Sequence, residues 1–378
     1  MLTRSTLKTA KRIVVKIGTS TLTDDSGHLN NQHIRVIARE LTLLRKAGKE
    51  IVLVTSAAIS AGVERMGLNE RPTTIPDKQA AAAVGQGILM QTYEKLFSEY
   101  DQIVGQILMT REDTVKRSRY TNIRNTFIAL FGHEIIPIIN ENDAVAIDEI
   151  KIGDNDTLSA QVASIIDADL LIILSDIDGL YSGNPSNNPN AELIYEVPVI
   201  TDTIEKAAGG AGSKQGTGGM MTKIQAAKIV VNSGIAMIIA SGKEKNIFTR
   251  LLAGENIGTL FLASRDRLQF RKRWLAFGAR IKGKLYIDDG CFKALQGGSS
   301  LLPAGIVKTE GEYGSGATLS ISDIQGREIA RGLSNYSSQE IEKIKGVKTA
   351  EIEKHLGNKP FDEVIHRDNL VLMTGGHK

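Results

Sequence analysis

The chain has 378 residues, of which 42% are hydrophobic and 24% charged. That composition excludes a mainly disordered protein and gives a prior of two or three domains at about 150 residues each. The formal net charge of +3 is too small to establish a nucleic-acid partner, and a single cysteine, Cys291, excludes an intramolecular disulfide and fits a reducing cytoplasm.

In chain order, the basic opening MLTRSTLKTAKRIVVKIG has an apolar run that breaks at Lys16, too soon for a signal peptide. No window approaches the roughly 18 apolar residues of a membrane span. A cytoplasmic protein without a membrane segment is the expectation. RIVVKI at 12–17 reads as a buried strand ending at Gly18. Ile34, Ile37, Leu41 and Leu44 give residues 31–47 the spacing of an amphipathic helix, with Gly48 at its C-terminus. IVLV at 51–54 is a second strand, and 77–99 a long helix. Strands follow at 102–109, 135–139, 169–174 and 235–240, with helices at 156–167 and 219–233. Short apolar strands alternating with helices predict an α/β fold, a mostly parallel sheet sandwiched between helices, with ligands at the carboxyl ends of the strands.

The pattern changes near residue 262. Residues 264–273 (SRDRLQFRKR) hold five basic residues and one acid. Beyond them, KLYID, IVKTEGEYGSGATLSISD and GREIARGLSNY are strand-sized pieces set apart by glycines. They predict a small β-rich second domain. Residues 263–378 hold 19 basic and 14 acidic residues, a net of +5, against −2 for the remainder.

Five segments carry candidate chemistry. In VVKIGTS (14–20), Lys16 beside Gly18 suits a phosphate, or is a strand-end lysine reaching water. In VTSAAISAG (54–62), Ser56 sits where a strand turns into a helix, as an anion contact or simply a helix cap. Residues 139–160 hold six carboxylates (Glu141, Asp143, Asp148, Glu149, Asp154 and Asp156) around Lys151. That cluster suits an ammonium substrate or oriented lysines, or is a solvated acidic loop. Ser175 and Asp176 leave the most apolar strand, where a nucleotide rests or the chain merely turns. GGAGSKQGTGGMMTK (209–223) has six glycines between 209 and 219 and then a helix bearing Lys223. It is a phosphate cradle in physical terms, or a linker, but neither a P-loop nor a dinucleotide fingerprint.

In this order, VVKIGTS, VTSAAISAG, INENDAV, GDNDTLSA, LSDIDGLY and GTGGMMTK resemble blocks of the amino acid kinase family, in the branch that phosphorylates the glutamate side chain. GGSSLLPAGI at 297–306 lies in a region similar to the PUA domain of many such members. The resemblance implies a catalytic domain at 1–262, a charged linker at 263–280 and a PUA-like pseudo-barrel at 281–366. It implies Lys16, Lys223 and Asp156 as catalytic residues, with Asp156 organising the two lysines. Ser56, Asp143 and Asn155 would bind L-glutamate. Lys16, Ser175, Asp176, Thr217, Gly218, Gly219, Met220, Met221, Thr222 and Lys223 would bind ATP. It further implies Mg²⁺ with ATP, feedback by proline, a homo-oligomer and association with glutamyl phosphate reductase. RNA binding by the PUA-like domain stays open, as do a related acid kinase and an inactive regulator. One departure stands out. The family reads VTSGAI, and here Ala57 replaces the glycine. Where that backbone needs positive φ, alanine costs about 1 kcal/mol, with substrate affinity the property at stake.

Overall fold

The computed structural model describes residues 2–373 apart from 25, 69, 111–112, 115–116, 147–154, 186–187, 189, 210–218 and 265–280. The chain divides into two compact units, the first built chiefly from residues up to 267 and the second chiefly from those after it.

The first unit is an eight-stranded sheet. Its strands are β1 (Arg12–Ile17), β2 (Glu50–Val54), β3 (Val104–Met109), β4 (Ile136–Glu141), β5 (Leu170–Ser175), β6 (Glu196–Val197), β7 (Ala236–Ser241) and β8 (Thr259–Phe261), in the order β3-β4-β2-β1-β5-β7-β8-β6. The strands from β3 to β7 in that order are all parallel, and β8 pairs antiparallel with β7. Each strand expected from an apolar run is present, with its ends moved by no more than two residues. The apolar runs are continuous because β4, β5 and β7 are buried at every position, as strands covered on both faces must be.

Alternation along β1 decides what its residues do. Ile13, Val15 and Ile17 join the large apolar core with Ile34, Ile37 and Leu41 of the helix Asn31–Lys46 and Leu89, Tyr93 and Phe97 of the helix Ile75–Ser98. Lys16 is one residue out of phase and faces the other side. On that side the helix Asn155–Ile165 packs on β1, β5 and the helix Met220–Asn232. A lysine in a buried strand is thereby brought under the N-termini of two helices.

Because β1 is central, the chain builds one half of the sheet (β2, β3, β4), then crosses to the other side of β1 for β5 and β7. This is a topological switch point, with a crevice at the carboxyl ends of β1, β2, β4 and β5.

The second unit is a five-stranded, mainly antiparallel sheet. Its strands are β9 (Gly283–Ile287), β10 (Ile306–Glu310), β11 (Thr318–Ser322), β12 (Glu328–Leu333) and β13 (Leu370–Leu372), in the order β10-β9-β11-β12-β13. The helices Asp289–Gln296 and Ser338–Ile344, which strand-sized periodicity alone does not reveal, contribute Leu295, Ile341 and Ile344 to its core. Cys291 lies here, and burial pushes its thiol up to about 12, which disfavours the reactive thiolate. Among the described residues no helix is long and apolar enough to cross a membrane.

Candidate active site

Lys16 and Lys223 both bind Asp156. Lys16 Nζ lies 2.6 Å from Oδ1, and Lys223 Nζ lies 3.1 Å from Oδ2. The Thr222 hydroxyl donates to Oδ2 at 2.8 Å. Asp156 is fully buried, Lys16 7% exposed and Lys223 3% exposed. Burial alone would raise the Asp156 carboxyl, but the ammonium charges of Lys16 and Lys223 outweigh it and hold the group below its ordinary value. Lys16 therefore does not reach for water. It sits at the end of β1 against Gly18, whose hypothetical Cβ would stand 3.5 Å from Lys16 Nζ.

On one side of this cluster lies the helix Met220–Asn232. Its N-cap is Gly219, which offers no side-chain cap, so the first N–H groups are left for another acceptor. Met220, Met221, Thr222 and Lys223 form its first turn. Ser175 ends β5, and its hydroxyl donates to Asp176 at 2.9 Å. Thr217 and Gly218 lie outside the described residues.

On the other side lie the ends of β2 and β4. Ala57 is the N-cap of the helix Ala58–Met66 with φ 77° and ψ 9°, and no side chain caps that helix. Ser56 is therefore not a helix cap. Its hydroxyl instead accepts a hydrogen bond from Asn155 Nδ2 at 3.0 Å. Asn155 Nδ2 also lies 2.9 Å from the Thr55 carbonyl and 3.1 Å from Asn140 Oδ1. Asp143 follows β4, and burial pushes its carboxyl up to about 6. The sequence argument singled out Ser56, Asp143 and Asn155, and the hydrogen bonds join Ser56 to Asn155.

Two residues of this side, Gln86 and Tyr93, escaped the sequence argument. Asn140, at the end of β4, donates to Gln86 Oε1 at 2.8 Å. Gln86 looks like any polar residue of a long helix. Tyr93, seven residues on, is fully buried with its hydroxyl 2.7 Å from Thr55 Oγ1, bracing the turn that presents Ser56. The available signal was the glycine before Gln86. A Cβ on Gly85 would stand 1.8 Å from the Ala58 carbonyl oxygen, and one on Gly62 1.8 Å from that of Ala81. Only glycines allow the two helices to touch so closely, and the contact carries Gln86 to the strand ends.

Comparison with known proteins places these features. Residues 11–241 match the model of the amino acid kinase family, and residues 283–356 that of the PUA domain. Over 368 residues the chain is 55% identical to the glutamate 5-kinase of Caldanaerobacter subterraneus subsp. tengcongensis, covering 97% of this chain and 99% of that protein. It is 54% identical to the glutamate 5-kinase of Thermoanaerobacter pseudethanolicus, with the same coverage. Among solved structures, the UMP kinase of Bacillus anthracis is similar with a TM-score of 0.47 and 16% identity, over 68% of this chain and 97% of that one.

Proposed function

The chain belongs to the amino acid kinase family, and on that premise we propose that it transfers the γ-phosphoryl group of ATP to the side-chain carboxylate of L-glutamate. The products are ADP and L-glutamyl 5-phosphate, the first step of proline biosynthesis. The observation that carries the reading is the pair of buried lysines on opposite oxygens of Asp156, flanked by an open helix N-terminus and by Asn155.

The nucleophile is the acceptor's own carboxylate, with an ordinary pKa of about 4.3. It is ionised at neutral pH and needs no general base. Catalysis is then alignment plus neutralisation of charge on the transferring group. Asp156 is the shared counter-ion of both lysines and fixes their spacing, so Lys16 and Lys223 meet the phosphoryl oxygens from two sides. Gly219 to Lys223, with Thr217 and Gly218, and Ser175 with Asp176, form the nucleotide side. Asp143 and the Asn155 carbonyl oxygen hold the amino acid's ammonium, and Ser56 lines the acceptor's path.

The donor set fits a metal that arrives with the nucleotide. Both Asp156 oxygens are already engaged by ammonium and hydroxyl groups. Mg²⁺ is accordingly part of the MgATP substrate, held by phosphate oxygens and water. A hydroxamate assay with ATP and Mg²⁺ tests the function. Turnover of L-glutamate should exceed that of L-aspartate and N-acetyl-L-glutamate, and equal turnover of either competitor refutes it.

The reading extends to a cytoplasmic homo-oligomer inhibited by proline and associated with glutamyl phosphate reductase, which would consume the labile acyl phosphate. Light scattering, a proline titration and co-elution with the reductase test these in turn. The catalytic domain is assigned to 1–262 and the PUA-like domain to 281–366. A chain ending near Ala263 should keep substantial kinase activity. A folded but inactive truncation would place part of the active site in the tail.

A further inference from the structure

The hydrogen bonds on the acceptor side fix which way each amide points. The Glu141 backbone N–H can only donate, and it lies 3.0 Å from Asn140 Oδ1. Asn140 must therefore turn its oxygen toward Glu141 and its NH₂ toward Gln86. Gln86 must in turn present Oε1 to Asn140, 2.8 Å away. That leaves Gln86 Nε2, a buried donor with no acceptor among the described residues. The same logic holds at Asn155. The Thr55 carbonyl can only accept, so Asn155 gives its NH₂ to it, and Asn155 Oδ1 is left buried without a donor among the described residues. A buried polar atom without a partner is costly, and such atoms in a native site point to a missing partner.

The two vacancies have opposite sense. Asn155 Oδ1 is a vacant acceptor, which suits an ammonium, and Gln86 Nε2 is a vacant donor, which suits a carboxylate. Asn140 links the two side chains by hydrogen bonds, so the vacancies belong to one hydrogen-bonded group. An amino acid whose side-chain carboxylate meets the lysines carries an ammonium and an anionic α-carboxylate together on its α-carbon. We propose that Gln86 is a specificity-determining residue for the acceptor, donating from Nε2 to the substrate's α-carboxylate while Oε1 holds Asn140 in orientation. The inference rests on the glutamate reading above and deepens it. No part of the phosphoryl-transfer machinery is altered by removing this contact, so it acts on binding and selectivity.

The test compares L-glutamate with 4-aminobutyrate, which is glutamate without its α-carboxylate, read as an alternative substrate or as a competitive inhibitor. Gln86→Leu should raise KM for glutamate by about 10- to 100-fold, the range for a hydrogen bond to a charged group. Its kcat should stay within about threefold, and the constant for 4-aminobutyrate should hardly move. Gln86→Glu still accepts from Asn140 but sets a negative charge against the α-carboxylate, so it should raise KM for glutamate at least as much. It carries the test should the leucine variant fail to fold, which thermal melting reports. Equal rises for both ligands would overturn the proposal and leave Gln86 as a support for Asn140. A wild-type KM in the glutamate variant would also overturn it. A wild-type enzyme that does not phosphorylate glutamate would instead remove the functional reading, and this inference with it.

Discussion

The two flanks of β1 are finished differently. Toward β5 and the helix Met220–Asn232, the polar groups satisfy one another: each Asp156 oxygen has an ammonium, and Oδ2 has a hydroxyl as well. Toward β2 and β4, the groups are oriented but incomplete. Asn155 Oδ1 and Gln86 Nε2 are buried without partners among the described residues, and Asp143 is desolvated to a pKa of about 6. On the function proposed above, the first arrangement suits charge that must be in place when phosphoryl transfer begins. The second, with bonding left open among the described residues, suits a zwitterionic acceptor. On that reading, one sheet edge separates catalysis from recognition.

Asp-to-Asn changes on the two flanks break this comparison most sharply. Asp156→Asn removes the carboxylate that two buried ammonium groups share and should cost about 3–5 kcal/mol of stability. Lys16→Ala or Lys223→Ala should lower kcat by about 100-fold or more, as the loss of one transition-state contact does. Denaturant melts and steady-state kinetics with saturating ATP check both. A lysine variant that keeps kcat and loses only ATP affinity would mean ground-state binding, and the division of labour would be wrong.

Asp143→Asn should behave in the opposite way. Burial raises its folded pKa above the ordinary 3.8 to about 6, so the folded state binds that proton more tightly than the unfolded chain. Stability then falls as pH rises between those values and stays lowered above pH 6. Removing the charge should therefore raise Tm at pH 7.5, while KM for glutamate rises about 10-fold or more because an ammonium contact is lost. In the wild type, kcat/KM for glutamate reports the free enzyme. It should drop about tenfold per pH unit below pH 6 as Asp143 takes up its proton, and Asp143→Asn should lack that limb. An acid limb that persists in the variant would assign it to another group.

Much of the first flank was legible in the sequence, because its residues follow from local pattern. An apolar run with a lysine out of phase, a glycine-rich segment feeding a helix and an aspartate opening the helix Asn155–Ile165 all mark it. That Lys16 and Lys223, about two hundred residues apart, share one carboxylate followed from the family resemblance and not from local pattern, because it depends on two helices crossing the same sheet face. The second flank was legible only in part. Taken alone, Ser56 reads better as a helix cap, and in the structure Ala57 takes that position. Gln86 and Tyr93 reach the site through helix packing at Gly62 and Gly85, where no periodicity marks the side chains that result.

Ala57 itself gives the smallest expected effect. Its φ of 77° is in the left-handed region, where an alanine costs about 1–2 kcal/mol relative to an unstrained backbone. Ala57→Gly removes that strain. Two terms oppose the gain. Glycine adds unfolded-chain entropy worth about 0.4–1 kcal/mol, and the buried methyl of Ala57, 6% exposed in the main core, contributes about 0.8 kcal/mol. The sum is near zero, so Tm should shift by no more than about 4 °C. The turn is also held from outside, by Tyr93 on Thr55 and by Asn155 on Ser56, so glycine and alanine should present Ser56 alike. KM for glutamate should change by less than about threefold, a span of about 0.7 kcal/mol. A tenfold fall in KM would show that the alanine distorts the recognition flank and that its neighbours do not hold the turn in place.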